Sequence, residues 1–143
     1  MNYKNGDKYN GEWKNDLKEG KGKMIYNDKK DKFKGEWEND KEKNGEGLII
    51  FSNNDIYKGK IINSKRESSK GIMIYNNGDR YEGEFKNDLK DGKGIYYYNN
   101  GEKYEGEFKN NLKEGKGIYY YNNGEKYEGI WNNDEYMRDC YLF

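Results

Sequence analysis

The residues that most enzymes use as nucleophiles, bases and metal ligands are nearly absent from this chain. Its 143 residues include no histidine and a single cysteine, Cys140, so neither a Ser-His-Asp nor a Cys-His nucleophile system can be assembled. A zinc site needs a cluster of histidine or cysteine ligands, and the sequence contains none. We therefore expect no catalytic residues, no bound metal and no cofactor.

Carboxylates and glycines are the remaining candidates for chemistry. The 27 acidic residues could supply an acid/base pair, but they alternate with lysines in strand-like and turn-like segments, which is typical of a solvated surface. Gly-Lys-Gly triplets occur at 20–22, 92–94 and 115–117, yet none precedes a predicted helix as a phosphate-binding loop does. Because the triplets recur at one place in a repeat, they indicate a structural element.

The composition limits how the elements that carry these residues can fold. Charged residues make up 38% of the chain and the mean hydropathy is −1.52, which leaves too few aliphatic side chains for an ordinary two-layer core. Aromatic content is nevertheless 17%, with 16 tyrosines, and 27 basic groups balance 27 acidic ones. Disordered chains are usually poor in aromatics and high in net charge. We therefore expect a fold that buries aromatic rings sparingly.

Targeting signals are also missing from the sequence. It has no apolar run of about 18 residues that could form a membrane-spanning helix. Its first residues, MNYKNGDKYNGEW, lack the apolar stretch of a signal peptide, and one cysteine cannot form an internal disulfide. We expect a cytoplasmic protein, peripheral at a membrane or at the cytoskeleton.

A short frame of aromatic residue, any residue, glycine, any residue and bulky apolar residue recurs six times. It starts at residues 9, 33, 57, 81, 104 and 127, a spacing of 23 or 24 residues. A second frame, such as GKGIYYY, falls between successive copies. Both frames have the length and composition of strands, and NNG after Tyr75, Tyr98 and Tyr121 is a strong hairpin signal. The sequence therefore predicts an all-β fold, an elongated, curved, single-layer antiparallel meander of about eleven short strands with no second layer.

The loop at Asn100-Gly101 decides which face the aromatic residues share. A two-residue loop would pair residue 97 with 104 and separate the aromatic sets. A three-residue loop closed by Gly101 would pair 96 with 104 and 94 with 106. We predict the second register, because it places every recurrent aromatic on one face. Gly94 and Gly106 would then lie opposite each other, with rings from neighbouring strands covering the bare backbone.

Units such as YEGEFKNDLKDGKGIYYYNNG, at 81–101, resemble the MORN (membrane occupation and recognition nexus) repeat. Its pattern is roughly Y-E-G-E-W/F-K-N-G-K-x-x-G-x-G-x-Y-x-Y-x-x-G, and the resemblance covers about residues 3 to 131. It departs in the third repeat, where Ile61 replaces the aromatic residue and Ser69 replaces a glycine. One extra residue occurs near 28–32 and another near 41–44. The resemblance implies an elongated, curved single sheet that acts as a scaffold at the cell cortex, the cytoskeleton or membrane junctions.

The repeat pattern divides the chain into three parts. Residues 1–8 form a partial leading repeat and turn, 9–131 form the repeat array, and 132–143 form a C-terminal apolar cap. The apolar segment 136–143 is predicted to fold back over Tyr127 and Trp131, as the terminal repeats of solenoids require. The strand at 9–13 leaves a sheet edge open, which favours either pairing with a second copy or continuation of the array.

Our main functional hypothesis is a non-catalytic scaffold that binds a protein partner, a peptide or a helix, along an aromatic groove. Large exposed aromatic patches usually mark interaction sites, and similar proteins bind partner tails in that groove or form homodimers through their sheet ends. Pure structural stacking of the rings remains an alternative reading. The predicted groove residues are Trp13, Trp37, Tyr81, Phe85, Tyr96, Tyr98, Tyr104, Phe108, Tyr119, Tyr121, Tyr127 and Trp131.

The alternative function is a peripheral membrane module that binds acidic phospholipids weakly through the third repeat. Residues 57–80 carry six basic and two acidic groups, and each basic residue near an anionic surface is worth about 1 kcal/mol. A nucleic-acid partner is not expected, because the net charge is zero and no continuous basic groove is predicted. The candidate lipid-binding residues are Lys58, Lys60, Lys65, Arg66, Lys70 and Arg80.

Overall fold

The computed structural model describes residues 1–27 and 32–137, and in these residues all regular elements are strands. Thirteen strands form one antiparallel sheet over this part of the chain. Eleven of them are seven or more residues long: β1 (Lys8–Lys14), β2 (Leu17–Ile25), β3 (Lys32–Glu38), β4 (Lys41–Ile50), β5 (Ile56–Ile62), β7 (Ser68–Ile74), β8 (Arg80–Lys86), β9 (Leu89–Tyr97), β10 (Lys103–Lys109), β11 (Leu112–Tyr120) and β12 (Lys126–Asn132). The other two, β6 (Lys65–Arg66) and β13 (Glu135–Tyr136), have two residues each.

The strands follow chain order across the sheet, from β1 at one end to β13 at the other, except that β6 pairs only with β5. The predicted single-layer antiparallel meander is therefore confirmed, and all eleven expected strands form. The two additional strands have simple origins: Glu67 separates β6 from β7, and β13 follows the last predicted strand. None of the described elements is a helix long and apolar enough to cross a bilayer.

The hairpin at residues 98–102 adopts the predicted three-residue register. The amide of Tyr98 donates to the carbonyl oxygen of Glu102 at 2.9 Å, and the amide of Gly101 donates to the carbonyl oxygen of Tyr98 at 3.0 Å. Gly101 has φ +92°, which glycine adopts without a steric penalty. Tyr96 consequently pairs with Tyr104 and Gly94 with Gly106, as expected from the sequence.

A second type of hairpin closes the opposite edge of the sheet. Asn87 and Asp88 have φ values of 49° and 71°, as in a two-residue type I′ turn. Asparagine and aspartate are the non-glycine residues that best tolerate such values. The same conformation recurs at 15–16, 39–40, 63–64, 110–111 and 133–134, so turns of one kind alternate with turns of the other along the array.

The Gly-Lys-Gly triplets mark irregularities in strand pairing. Between β10 and β11 the register shifts after Gly106 pairs with Gly117. There Gly115 has φ +78°, and the Glu107 carboxylate accepts a 2.6 Å hydrogen bond from the amide of Lys116. The first glycine of the triplet therefore provides a positive φ, and a cross-strand glutamate binds the amide that the shift displaces. This confirms that the triplet is a structural element.

The two faces of the sheet differ sharply. The largest fully buried side chains, Tyr9, Phe33, Tyr57, Tyr81 and Tyr104, are at most 2% exposed and share one face, which we call the aromatic face. On the opposite face, the middle tyrosines of the YYY runs lie beneath cross-strand cations. The Arg80 guanidinium is 5.8 Å from the Tyr97 ring centroid and Lys103 Nζ is 4.7 Å from that of Tyr120.

The third repeat is the least regular part of the sheet. β5 and β7 pair at only three positions, beginning with Ile56 and Ile74, and β7 shifts register against β8 between Ser68 and Gly71. Ile61, in place of an aromatic residue, is still 3% exposed. The extra residue predicted near 41–44 lies where the pairing of β4 with β3 shifts, and Gly35 there pairs with Gly45, the first glycine of its segment, whereas Gly106 pairs with Gly117, the second. The one predicted near 28–32 falls largely outside the described residues.

Candidate partner-binding groove

Edge-to-face rings build a continuous floor along the aromatic face. Tyr81 lies 5.1 Å from Phe85 and 5.2 Å from Phe108, with interplanar angles of 88° and 84°. Tyr104 continues the pattern at 5.1 Å from Phe108 and 5.3 Å from Trp131. This T-shaped arrangement is the one that aromatic quadrupoles favour. Contacts within β8 and within β10 therefore alternate with contacts that cross from one strand to another.

The floor depends on glycines in the neighbouring strands. The Tyr104 ring lies over Gly117, and a Cβ atom added to Gly117 would collide with that ring. The Tyr104 hydroxyl donates a 2.9 Å hydrogen bond to the carbonyl oxygen of Glu107. Trp131 Nε1 donates a 3.2 Å hydrogen bond to the carbonyl oxygen of Gly117 itself. The predicted covering of bare backbone by aromatic rings is confirmed.

Five half-buried tyrosines lie above this floor, over β9 to β12. Their centroids form a chain with steps of 4.7, 5.5, 4.5 and 5.0 Å. In the fold they stand at the ends of the GIYYY strands and at the start of β12. We call them the tyrosine row: Tyr96, Tyr98, Tyr119, Tyr121 and Tyr127.

Hydrogen bonds to turn carboxylates fix two members of the tyrosine row. The Tyr96 hydroxyl donates to Asp79 at 2.7 Å, and Asp79 also accepts the amide of Asn99 at 2.8 Å. The Tyr119 hydroxyl donates to Glu102 at 3.1 Å. Burial, and then the neighbouring carboxylate, raises the pKa of Tyr96; burial is also the largest cause of the raised pKa of Tyr119. Both phenols are therefore neutral near pH 7 and act as hydrogen-bond groups.

A charged residue occupies the second position after most of the two-residue turns, on the aromatic face. Lys113 shows the geometry: its Nζ lies 5.9, 5.8 and 5.7 Å from the centroids of Tyr98, Tyr104 and Trp131. Its side chain is only 14% exposed, so these cation–π contacts are shielded from water and offset part of the cost of burying the charge. We call the equivalent residues the charged row: Lys18, Glu42, Arg66, Lys90 and Lys113.

Counter-ions for the charged row come from the next two-residue turn. Lys18 pairs with Asp40 at 3.4 Å, and Lys113 pairs with Asp134 at the same distance. Arg66 Nε donates to Asp88 at 2.7 Å, and a second guanidinium nitrogen donates to the Asp88 carbonyl oxygen at 2.7 Å. Each of these cations is therefore neutralised within the chain.

The structure divides the predicted groove residues into three groups. Six are buried and belong to the floor: Trp37, Tyr81, Phe85, Tyr104, Phe108 and Trp131. Five form the tyrosine row. Trp13 is 40% exposed at the β1 end of the sheet. The structure thus brings all of them to the aromatic face, but it leaves the tyrosine row and Trp13 as the predicted residues that a partner can touch.

Other residues of this face were not predicted. Tyr3, Tyr26, Phe51 and Tyr75 pack against the core at the position that Tyr98 occupies in its repeat, and the spacing of the second frame contains that signal. The charged row was missed because lysine and arginine in a polar repeat indicate a solvated surface. Their position on the aromatic face is visible only from the rings that surround them in the structure.

The candidate lipid-binding residues do not form one cluster. Lys58 and Lys60 alternate with buried Tyr57 and Ile61, so they lie on the opposite face, and Lys60 pairs across strands with Glu46. Lys70 and Arg80 also lie there, and Arg80 forms an ion pair with Glu82. Arg66 belongs to the charged row on the aromatic face, and Lys65 is exposed beside a turn.

The two ends of the described sheet are each partly covered. At the first end, the amide of Tyr9 donates to the carbonyl oxygen of Met1 at 2.9 Å, so residue 1 covers part of the β1 edge that was predicted to be open. At the other end, the Tyr136 ring lies 5.2 Å from both Tyr127 and Trp131. Residues 138–143 of the proposed cap, including Cys140, lie outside the described residues, so the cap remains a prediction, as does a homodimer.

The described residues contain no group of three or more histidine, cysteine, aspartate or glutamate side chains arranged to hold a metal ion. No curated protein sequence matches the chain closely enough to extend the comparison. A family model does match: the MORN repeat model fits residues 9–30, 33–56, 81–103 and 104–126. The unmatched interval includes the irregular third repeat. These four matches cover more than half of the chain, which therefore belongs to the MORN repeat family.

Proposed function

We propose that this repeat protein is a non-catalytic scaffold that binds a segment of a protein partner along its aromatic face. The observation that supports the proposal is the tyrosine row, five half-buried rings in mutual contact above a sealed floor. Tyrosine suits such a surface, because its ring supplies apolar contact while its hydroxyl tolerates water or binds a partner. Linking membrane or cytoskeletal structures is the wider role that we propose for this binding.

The dimensions of the face suit a single extended or helical segment. From Tyr75 beside β7 to Tyr136 in β13 the sheet advances by six strand spacings, about 29 Å. A helix of about 19 residues has that length. The phenol groups of Tyr96 and Tyr119 are neutral and hydrogen-bonded to carboxylates, which favours recognition over proton transfer. We therefore propose an amphipathic helix as the bound segment.

The proposal can be tested with a displayed library of random peptides about 20 residues long, which would span about 30 Å as helices. Peptides selected on the wild-type chain are measured by calorimetry against two double variants. Tyr98→Ala with Tyr121→Ala removes rings from the tyrosine row. Tyr97→Ala with Tyr120→Ala removes two tyrosines from the same strands on the opposite face and serves as the matched control.

We expect the tyrosine-row variant to lose binding by about tenfold or more, because aromatic anchors dominate such interfaces, and the control to retain it. Circular dichroism and thermal melting show whether both variants fold. Selected peptides that bind the folded tyrosine-row variant as tightly as wild type, or an absence of selected peptides altogether, would contradict the proposal.

A second candidate function, weak binding to acidic phospholipid, is favoured by apolar exposure on the opposite face of the third repeat. Ile50 is 48% exposed and Ile74 is 36% exposed, and both pair with Ile56 in the neighbouring strand. Arg80 pairs with Ile74 across strands, and Lys70 lies on the same face, four residues before Ile74 in β7. Peripheral binding requires this combination: isoleucines enter the membrane interface, and lysines approach the anionic headgroups.

Liposome flotation distinguishes this candidate. Vesicles that contain phosphoinositide are compared with neutral vesicles at low and physiological salt. The informative variant combines Ile74→Glu with Lys70→Glu. The control is Lys65→Glu, in the exposed turn. Arg66 is not substituted, because it is paired with Asp88. Binding at physiological salt that only the first variant abolishes would support the lipid function. Binding seen only at low salt would indicate nonspecific electrostatic attraction and would contradict the lipid function.

A further inference from the structure

One cation of the charged row has no counter-ion in the described part of the chain. Lys90 Nζ lies 5.7, 5.8 and 5.0 Å from the centroids of Tyr75, Tyr81 and Tyr96. Unlike Lys18, Arg66 and Lys113, it forms no salt bridge with any described residue. The charge is therefore held among rings without an anion to balance it.

The cause is a single residue in the next turn. The position that carries Asp40, Asp88 and Asp134 in the other repeats carries Asn111 after Lys90. Asn111 Oδ1 accepts the amide of Lys90 at 2.8 Å, as Asp134 Oδ1 accepts that of Lys113 at 2.7 Å. The backbone geometry is thus preserved and only the negative charge is missing. At Glu42, the acidic member of the charged row, the equivalent turn residue is the neutral Ser64. The turn therefore places no carboxylate beside this acidic side chain.

The surroundings make the uncompensated charge costly in the free protein. Burial is the main reason that the pKa of Lys90 is lowered; the charges of Asp134 and Asp79 raise it, and those of Arg66 and Lys113 lower it further. A partly buried cation among aromatic rings is stabilised most by an anion that binds together with a surface that excludes water. Lys90 lies under Tyr96, at the start of the tyrosine row, where a bound segment would provide such a surface.

We propose that Lys90 is the point at which this scaffold recognises an acidic side chain of its partner. An aspartate or glutamate of the bound segment contacts Lys90 Nζ beside Tyr75 and Tyr96 and replaces the carboxylate that Asn111 lacks. The partner is thus a segment with an acidic residue at one defined position, flanked by apolar residues that cover the tyrosine row. This inference rests on the proposed protein-binding function and specifies its chemistry.

Three single variants test it with the same peptide library. Lys90→Gln removes the charge. Asn111→Asp keeps Lys90 but supplies the missing counter-ion from the turn, in the arrangement that Lys113 and Asp134 already adopt. Lys103→Gln, on the opposite face over Tyr120, removes a cation from outside the groove and is the matched control. Thermal melting confirms that each variant folds.

We expect peptides selected on the wild-type chain to share an acidic position, and their affinity to fall about tenfold with either Lys90→Gln or Asn111→Asp. The Lys103→Gln variant should bind them unchanged. Replacing the shared acidic residue by its amide should abolish the difference between wild type and Lys90→Gln. Peptides that need the tyrosine row but show no acidic preference and no response to Lys90→Gln would overturn this inference and leave the proposed function intact. If no selected peptide depends on the tyrosine row, both fail.

Discussion

The hydroxyl group of Tyr104 donates a 2.9 Å hydrogen bond to the carbonyl oxygen of Glu107, three residues further along the same strand. The same contact joins Tyr9 to Glu12, Tyr57 to Lys60 and Tyr81 to Glu84. To make it, each ring folds along its own strand and covers the glycine of the next strand. In the β1, β8 and β10 copies, a register shift follows the glycine of the same strand. The contact explains the tyrosine at the start of these four copies of the frame, since a phenylalanine could cover the glycine but not bind the carbonyl group.

Replacing Tyr104 by phenylalanine should therefore lower the free energy of unfolding by about 1 kcal/mol, because a buried carbonyl group loses its partner. The matched control is Tyr97→Phe, on the opposite face, whose hydroxyl makes no hydrogen bond within the described residues. Urea titration followed by tryptophan fluorescence measures both variants. Equal stabilities for the two would show that the Glu107 contact contributes nothing.

The glycine under the ring should be even less replaceable. In Gly117→Ala the new methyl group meets the Tyr104 ring, so ring or backbone must move, and we expect a loss of about 3 kcal/mol. Gly124→Ala is the comparison, because no atom lies within 4 Å of the added Cβ and only φ +89° opposes it. That strain costs about 1 kcal/mol. A smaller loss at Gly117 than at Gly124 would mean that the ring does not depend on the bare backbone.

Stability should fall steeply in alkaline solution. Burial raises the pKa of Tyr57 to about 12 and also raises the pKa of Tyr26, Tyr81 and Tyr104 above the ordinary value. Because the unfolded chain releases these protons first, at about pH 10, the stabilisation is complete below pH 10 and is lost as the pH rises toward the folded values.

Tyr57 alone contributes on the order of 2 to 3 kcal/mol to this loss between pH 10 and pH 12. We expect tyrosinate absorbance to increase together with the loss of circular dichroism, in one cooperative step. The Tyr57→Phe variant should show a shallower decline of stability with pH. Smooth ionisation of all tyrosines near pH 10 in a chain that remains folded would contradict the prediction.

The positive charge of Lys90 should lower the free energy of unfolding of the protein on its own. Because burial lowers its pKa in the folded state, this group imposes no penalty on folding above its unfolded pKa of about 10.5, and the penalty grows as the pH falls below that value until it is complete below the folded pKa. At pH 7, Lys90→Met should therefore raise the free energy of unfolding by about 0.5 kcal/mol or more. Lys113→Met, which breaks the pair with Asp134, should not stabilise. Thermal melting at pH 7 checks both, and a destabilised Lys90→Met would contradict the assignment.

The sequence predicted the strands and their register because each frame carries its own turn signal and the period of the aromatic residues is unambiguous. The pairing of Tyr96 with Tyr104 follows from the sequence alone, since only one loop length puts both rings on one face. The chemistry of the register shifts could not be predicted in the same way, because it links a positive φ at Gly115 to the carboxylate of Glu107 on another strand.

The sequence predicted the aromatic face of the candidate site, but not the burial of each ring or the position of Lys90. Aromatic spacing identified the face, but it could not separate Tyr104, fully buried, from Tyr121, half-buried, because both have the same residue type and share the repeat. The location of Lys90 depends on rings from three strand segments. Its missing counter-ion becomes visible only when Asn111 is compared with the aspartates that bind the other cations.

Hydrogen bonds from backbone amides join each repeat to the next at both edges of the sheet, with backbone carbonyl acceptors at one edge and a carboxylate acceptor at the other. At one edge the amide of Asp134 donates to the carbonyl oxygen of Lys113 and that of Asn111 to Lys90, each at 3.0 Å. At the other edge the amide of Asn99 donates to Asp79 at 2.8 Å. Every unit thus touches only its immediate neighbours, so one more unit inserted after residue 103 would lengthen the sheet by about 10 Å and leave the other contacts as they are. The aromatic face is therefore modular: its length changes in steps of one repeat, and the number of repeats sets the length of segment that it can cover.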